Sequence, residues 1–161
     1  MDLPRRYKVE VVNETKFRIR TTPVKEAVKM TLALNGPQDA EVCVLLTDDE
    51  RIAALNRTYR GVDEPTDVLS FPGGDFPNAP LGDIAISVPF AKRQAQARGA
   101  GLETEIGYLA IHGCLHLCGF NDEDEDDRKK MVKEMHRIGI ALGLPEDNAW
   151  RSILLSGEDD G

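Results

Sequence analysis

Ala110-Ile111-His112-Gly113-Cys114-Leu115-His116-Leu117-Cys118-Gly119-Phe120-Asn121-Asp122 holds two of the three histidines in the chain. His112 and His116 are four residues apart, and at roughly 100° per helical residue that spacing stacks both imidazoles on one face, one turn apart. Both can then reach one metal ion. Gly119 follows the last apolar turn, where a left-handed cap ends a helix. Asp122 comes three residues later. Its short carboxylate arm can fold back over the histidine face as a third ligand, leaving the fourth tetrahedral position open as in catalytic zinc sites. A plainer reading also stands, in which the two histidines are partly buried core side chains bonded to backbone carbonyls. Cys114 and Cys118 each lie two residues, about 200° of turn, from a histidine and read as core or second-layer thiols. His136 on the following helix is the reserve ligand.

Outward from this stretch the periods alternate. Residues 7–13 read as a strand, with Tyr7, Val9 and Val11 against Lys8 and Glu10. Residues 23–34 carry Val24, Ala27, Val28, Thr31 and Leu32 at helical spacing, with Thr22 as N-cap, Pro23 at the first helical position and Asn35-Gly36 as the stop. Residues 41–46 form a strand, and Thr47-Asp48-Asp49-Glu50 reads as a capping box opening a helix whose buried face is Ile52, Leu55 and Tyr59. After Arg60-Gly61 and a turn-rich loop, a short strand at 68–71 stops at Pro72, and 81–88 alternates as a half-buried strand.

A helix at 89–98, a Gly99-Ala100-Gly101 break and an apolar helix at 103–118 follow. The six acids at 122–127 suit the first turn of a last helix, whose inner stripe is Met131, Met135, Ile138 and Leu142. Trp150, Ile153, Leu154 and Leu155 read as a final packed segment, before a disordered acidic tail at 156–161. This order predicts an α+β fold, a mixed, mostly four-stranded sheet covered by about five helices with the histidine helix at its centre.

The 161 residues, 41% of them hydrophobic, suffice for one domain and not two, so 1–155 is expected to be a single catalytic domain. No apolar run approaches the ~20 residues that span a bilayer, and 1–16 carries scattered charge, so the expectation is a cytoplasmic protein with no membrane partner. Three cysteines, an odd number, point to reduced thiols. The net charge of −8 opposes non-specific attraction to nucleic acid, so an RNA substrate requires a local basic patch. Gly113 stands where zinc peptidases of His-Glu-x-x-His type carry their general base, which argues against proteolysis.

The run from His112 to Asp122 resembles the signature of the YbeY family, His-Gly-x-Leu-His-Leu-x-Gly-Tyr/Phe-Asp-His, except that Asn121-Asp122 replaces the closing Asp-His. Leu55-Asn56, Tyr59-Arg60-Gly61, Asp63, the run from Pro65 to Pro72 and Leu81-Gly82-Asp83-Ile84 resemble the family's other blocks, in family order. The resemblance implies a zincin-like fold with one zinc ion on His112, His116 and, in place of a third histidine, Asp122. It implies a single-strand-specific endoribonuclease of ribosomal RNA processing, acting in 16S rRNA 3′ end maturation and ribosome quality control. The partners implied are the ribosome or its proteins, and the state a monomer.

Arg60, at a helix end where its fork can address phosphate, falls on the family's functional arginine. It is expected to act with His112 in catalysis and with Arg57 in substrate binding. Arg60 read without the family is equally a helix cap or a partner of Asp63. Lys92, Arg93 and Arg98 are candidates for the rest of a cationic wall. Asp67, Ser70 and Asp83 are expected to be structural, or to orient a histidine through its free ring nitrogen. Two alternatives stay open: a metallopeptidase-like hydrolase, and a non-catalytic ribosome-associated factor with a degenerate metal site.

Overall fold

Each run of β-branched residues becomes a strand and each amphipathic stretch a helix. The computed structural model describes residues 6–145. Their order is β1 (Arg6–Asn13), α1 (Thr21–Asn35), β2 (Asp39–Thr47), α2 (Asp49–Arg60), β3 (Val68–Pro72), β4 (Gly82–Ser87), α3 (Val88–Arg98), α4 (Leu102–Leu117) and α5 (Glu125–Leu142). The strands form one sheet in the order β1-β2-β4-β3; β1, β2 and β4 are parallel and β3 runs antiparallel along β4. This is the mixed α+β architecture read from the sequence. The expected segment around Trp150 and the tail at 156–161 lie outside the described residues.

The two-residue period of β4 divides the interior. Ile84 and Ile86 enter the main core with α1, α4 and α5, while Ala85 faces the other way and packs with Ile52 of α2 and Leu69 of β3. Ten of the sixteen residues of α4 are buried, so this helix needs cover on nearly every side. The cover comes from α1, α3, α5, β3 and β4. Gly113 sets how close α4 sits to the sheet: a Cβ there would fall 2.9 Å from Ile84 Cγ2 and 3.1 Å from Ser70 Oγ. Ser70 donates its hydroxyl to the Gly113 carbonyl at 2.9 Å, fastening helix to edge strand. A glutamate in the peptidase position has no room in this packing.

Three expectations at helix ends and faces change. α1 begins at Thr21 with Arg20 in the N-cap position and no side-chain cap, so Thr22 lies inside the first turn. Asp48, not Thr47, caps α2 by accepting from the Arg51 amide at 2.9 Å. Thr47 cannot do so because β2 pairs it with Ser87, and its hydroxyl donates to Glu14 instead. Tyr59 is not on the buried face of α2; it is 66% exposed. The apolar cluster on that side is small, and it leaves the Tyr59 ring on its rim, against Phe71.

Gly113→Ala is expected to lower stability by about 1–3 kcal/mol, since the added methyl must displace Ile84 or Ser70. Urea unfolding followed by circular dichroism, read as a shift in midpoint at constant slope, measures it.

Candidate metal centre

α4 presents His112 and His116 from successive turns with their Nε2 atoms 3.1 Å apart. The Oδ2 atom of Asp122 lies 3.5 Å from each. A tetrahedral ion with bonds of about 2.0–2.1 Å holds its donors about 3.3 Å apart, so these three atoms fit a zinc-sized ion and leave one position open. The imidazoles stand edge to face at 74°, with their Nε2 edges converging.

The local sequence explains the closure. Gly119 has φ of 98°, in the left-handed half of backbone space that favours glycine, and it turns the chain back at the end of α4. The turn is held by the Phe120 amide donating to the Leu115 carbonyl at 3.0 Å. It also brings the Phe120 carbonyl to 3.1 Å from His116 Nδ1. With its proton on Nδ1 the ring donates to that carbonyl, the tautomer that leaves the Nε2 lone pair for an ion. Arg128 of α5 donates to the carbonyls of Asp122 and Glu123 at 3.3 and 3.1 Å, fixing the loop that carries the carboxylate. Asp124 accepts from the Asp127 amide as the cap of α5, so Glu125, Asp126 and Asp127 of the acid run form that helix's first turn, as its charge suggested, while Asp122 stands before it in the ligand group.

Protonation suits a cation. Burial, helped by neighbouring His116 and opposed by Asp122, pushes His112 down to about 4. The hydrogen bond with His116 holds the Asp122 carboxyl below its ordinary value. At neutral pH the centre therefore offers a neutral His112 imidazole and an anionic carboxylate, the states a divalent ion binds. Among the described residues no other group of three histidine, cysteine or acidic side chains is poised for a metal.

The remaining candidates sit elsewhere. Arg60 is exposed in the last turn of α2, on the far face of the sheet from α4. Arg57 is also exposed and pairs with Asp63 at 3.4 Å, which leaves Arg60 without an ion-pair partner among the described residues. The wider candidates each have a contact within the fold. Arg98 is largely buried against the fully buried Glu105, Arg93 pairs with Asp49 at 2.9 Å, and Lys92 rests 5.2 Å over the Phe17 ring. Ser70 holds the α4 backbone. The half-buried Asp67 accepts from Val68 and Gln94 at the start of β3, and Asp83 is exposed on β4.

Cys114 is buried with its sulfur toward the Val28 carbonyl, while Cys118 shares a hydrogen bond with Cys114; both stay out of the ligand group, as does the exposed His136. Sequence reasoning missed Arg128 and the Phe120 carbonyl. Neither announces itself, because one looks like dipole compensation in α5 and the other is backbone.

Two imidazoles from one buried helix, closed by a carboxylate and open on one side, form a group that could hold a metal ion, and the comparisons with known proteins give the class, a nuclease. The family model described as Endoribonuclease YbeY matches residues 8–143. Among similar proteins, the Endoribonuclease YbeY of Geobacillus kaustophilus is 45% identical over 122 residues, 68% of this chain and 78% of that one. Its namesake from Bacillus cytotoxicus is 39% identical over 134 residues, 75% of this chain and 85% of that one. The solution structure of a Thermotoga maritima protein superposes with a TM-score of 0.57 at 26% identity, covering 95% of this chain and 98% of that one. The chain belongs to the YbeY endoribonuclease family.

The His112 shift has a measurable sign. An unfolded His112 takes a proton near 6.5 and the folded one only near 4, so the unfolded state binds more protons between these values and stability falls as pH drops through them. Asp122, held below 3.8, stays charged across that window and adds its own loss only beneath it. Unfolding of metal-free protein is expected to show a slope of up to about 1.4 kcal/mol per pH unit from this one proton. Chemical denaturation at stepped pH should find a shallower slope in His112→Gln.

Proposed function

We propose that the protein is a zinc-dependent, single-strand-specific endoribonuclease of ribosomal RNA processing, working in the cytoplasm as a monomer on 16S rRNA 3′ end maturation and ribosome quality control. The observation that carries the reading is the triangle of His112, His116 and Asp122 donors, in a chain whose family match runs through nearly all of its described residues. No helix among the described residues is long and apolar enough to cross a membrane.

His112, His116 and Asp122 would hold the ion. When bound, zinc supplies Lewis acidity enough to bring the pKa of a water molecule toward ~7 and to polarise a phosphoryl oxygen. The residues around it do the remainder. The Phe120 carbonyl keeps His116 in one tautomer, and Arg128 keeps Asp122 over the histidines. Burial keeps His112 unprotonated. Arg60 is assigned the phosphate, its guanidinium opposing charge that builds on the non-bridging oxygens, with Arg57 a second contact along the strand. Arg57 remains available because an exposed pair such as Arg57–Asp63 is worth little. Proteolysis is disfavoured because the packing at Gly113 removes the position of the general base.

Metal analysis of the purified protein is expected to find about one zinc per chain, lost in His116→Ala and Asp122→Ala. Arg60→Ala should retain the metal while cleavage of labelled single-stranded RNA falls ~10²- to 10³-fold. Cleavage of an unfolded protein with RNA left intact would establish the peptidase instead. Absence of both zinc and cleavage would overturn the enzyme reading and leave the non-catalytic factor.

A further inference from the structure

Tyr59 is a large exposed side chain that the core does not account for. It stands in the last turn of α2 beside Arg60, and Arg57 in the same turn is exposed as well. The ring has a fixed seat: its centroid lies 5.1 Å from that of Phe71 at 59°, a tilted aromatic contact in the favourable range.

Phe71 in turn leads toward the metal centre. It belongs to the edge strand β3, and a Cβ on Gly82 would touch both the Phe71 carbonyl, at 2.4 Å, and Leu117 Cδ2, at 2.6 Å. Leu117 directly follows His116. The last turns of α2 and α4 therefore meet the same end of β3 from opposite faces. Tyr59 and Arg60 sit around the sheet's edge from His116.

We propose that Tyr59 is a stacking platform for an unpaired base of the RNA, seating the neighbouring phosphate against Arg60; the proposal rests on the endoribonuclease reading. A phenol ring takes any base, because every base has a π-face, and it takes only bases whose faces are free. Duplex bases are stacked on both sides, so the platform selects single strands without reading sequence. The chain's net charge of −8 makes such a contact necessary, since few cations are available to bind phosphates through counterion release.

The test uses zinc-loaded protein and a short single-stranded RNA, intact or with one abasic site moved along it. Tyr59→Ala and Tyr59→Leu, the latter keeping an apolar contact to Phe71, are expected to raise KM ~5- to 100-fold with kcat within about twofold. Tyr59→Phe and Tyr59→Trp should keep KM near wild type. One abasic position should raise the wild-type KM to a similar degree and leave that of Tyr59→Ala unchanged, a coupling that a merely structural tyrosine does not produce.

The same RNA carrying 2-aminopurine at that position reports stacking by fluorescence quenching on the metal-free protein, independently of cleavage. Quenching by metal-free wild type and not by metal-free Tyr59→Ala, with no RNA cut by the zinc-loaded form of either, would overturn the endoribonuclease reading and leave the platform standing. RNA cleavage with KM unchanged in Tyr59→Ala, or without abasic coupling, would overturn the platform alone.

Discussion

The close approach of α4 to the sheet at Gly113 is the constraint on which the rest of the molecule depends. With no side chain at that position, Ile84 and Ser70 reach the helix backbone, and the Ser70 hydroxyl fixes the height of the helix through the Gly113 carbonyl. The adjacent His112 is thereby lodged in a low-dielectric seat, which is why its imidazole stays neutral. One turn on, His116 completes the pair, and the helix must end soon afterwards for any third ligand to return. Gly119 provides that end through its positive φ. The packing that makes the core and the geometry that makes the centre are thus one arrangement of residues 112 to 122.

Legibility in the sequence followed how local the causes are. The helices and the strands at 7–13 and 81–88 could be read from their own periods, the strands at 41–46 and 68–71 from short apolar runs bounded by turn signals, and the order of elements was enough to predict a mixed sheet with α4 inside it. The histidine pair and Asp122 were readable because the helical period and one glycine turn set their relation. Tyr59 was misread because it obeys the helical period of α2 as well as Ile52 does, and only the small size of the opposing cluster leaves it outside. Thr47 was misplaced for a similar reason: its role depends on Ser87, forty residues away in β4. Of the expected cationic wall Arg98 is withdrawn into the fold, since an arginine carries no sign in the sequence that a buried acid such as Glu105 will take it.

That loss sharpens the electrostatic picture. Arg93 and Arg98 pair with acids of the fold and Arg57 leans on Asp63, while Arg60 has no ion-pair partner among the described residues. A chain of 28 acidic and 20 basic residues has little general pull on phosphate. Affinity of such a chain for a strand depends on a few contacts that act at short range, which is the part proposed above for Arg60 and Tyr59. Short-range contacts discriminate conformation better than a diffuse positive surface does, because each demands a group in a particular place. An acidic body also repels polyanions that lack such groups.

Asp122 in place of the histidine that closes the family signature changes the chemistry of the centre more than its shape. A carboxylate brings one negative charge that an imidazole does not, so a divalent ion held here keeps a residual charge lower by one unit. Were an ion bound with Asp122 as a ligand, that extra negative charge would lower its Lewis acidity toward a fourth ligand. The hydrogen bond with His116 holds Asp122 ionised, so this ligand needs no proton removed when metal arrives. A carboxylate arm is also shorter than an imidazole arm, which gives the Arg128 contacts their importance. The backbone at Asp122 must be brought close to the histidines, and a guanidinium gripping the carbonyls of Asp122 and Glu123 does so from the next helix. The exchange of ligand and the anchoring arginine therefore belong to one solution, in which charge is added at the ion and the loop is tightened to deliver it.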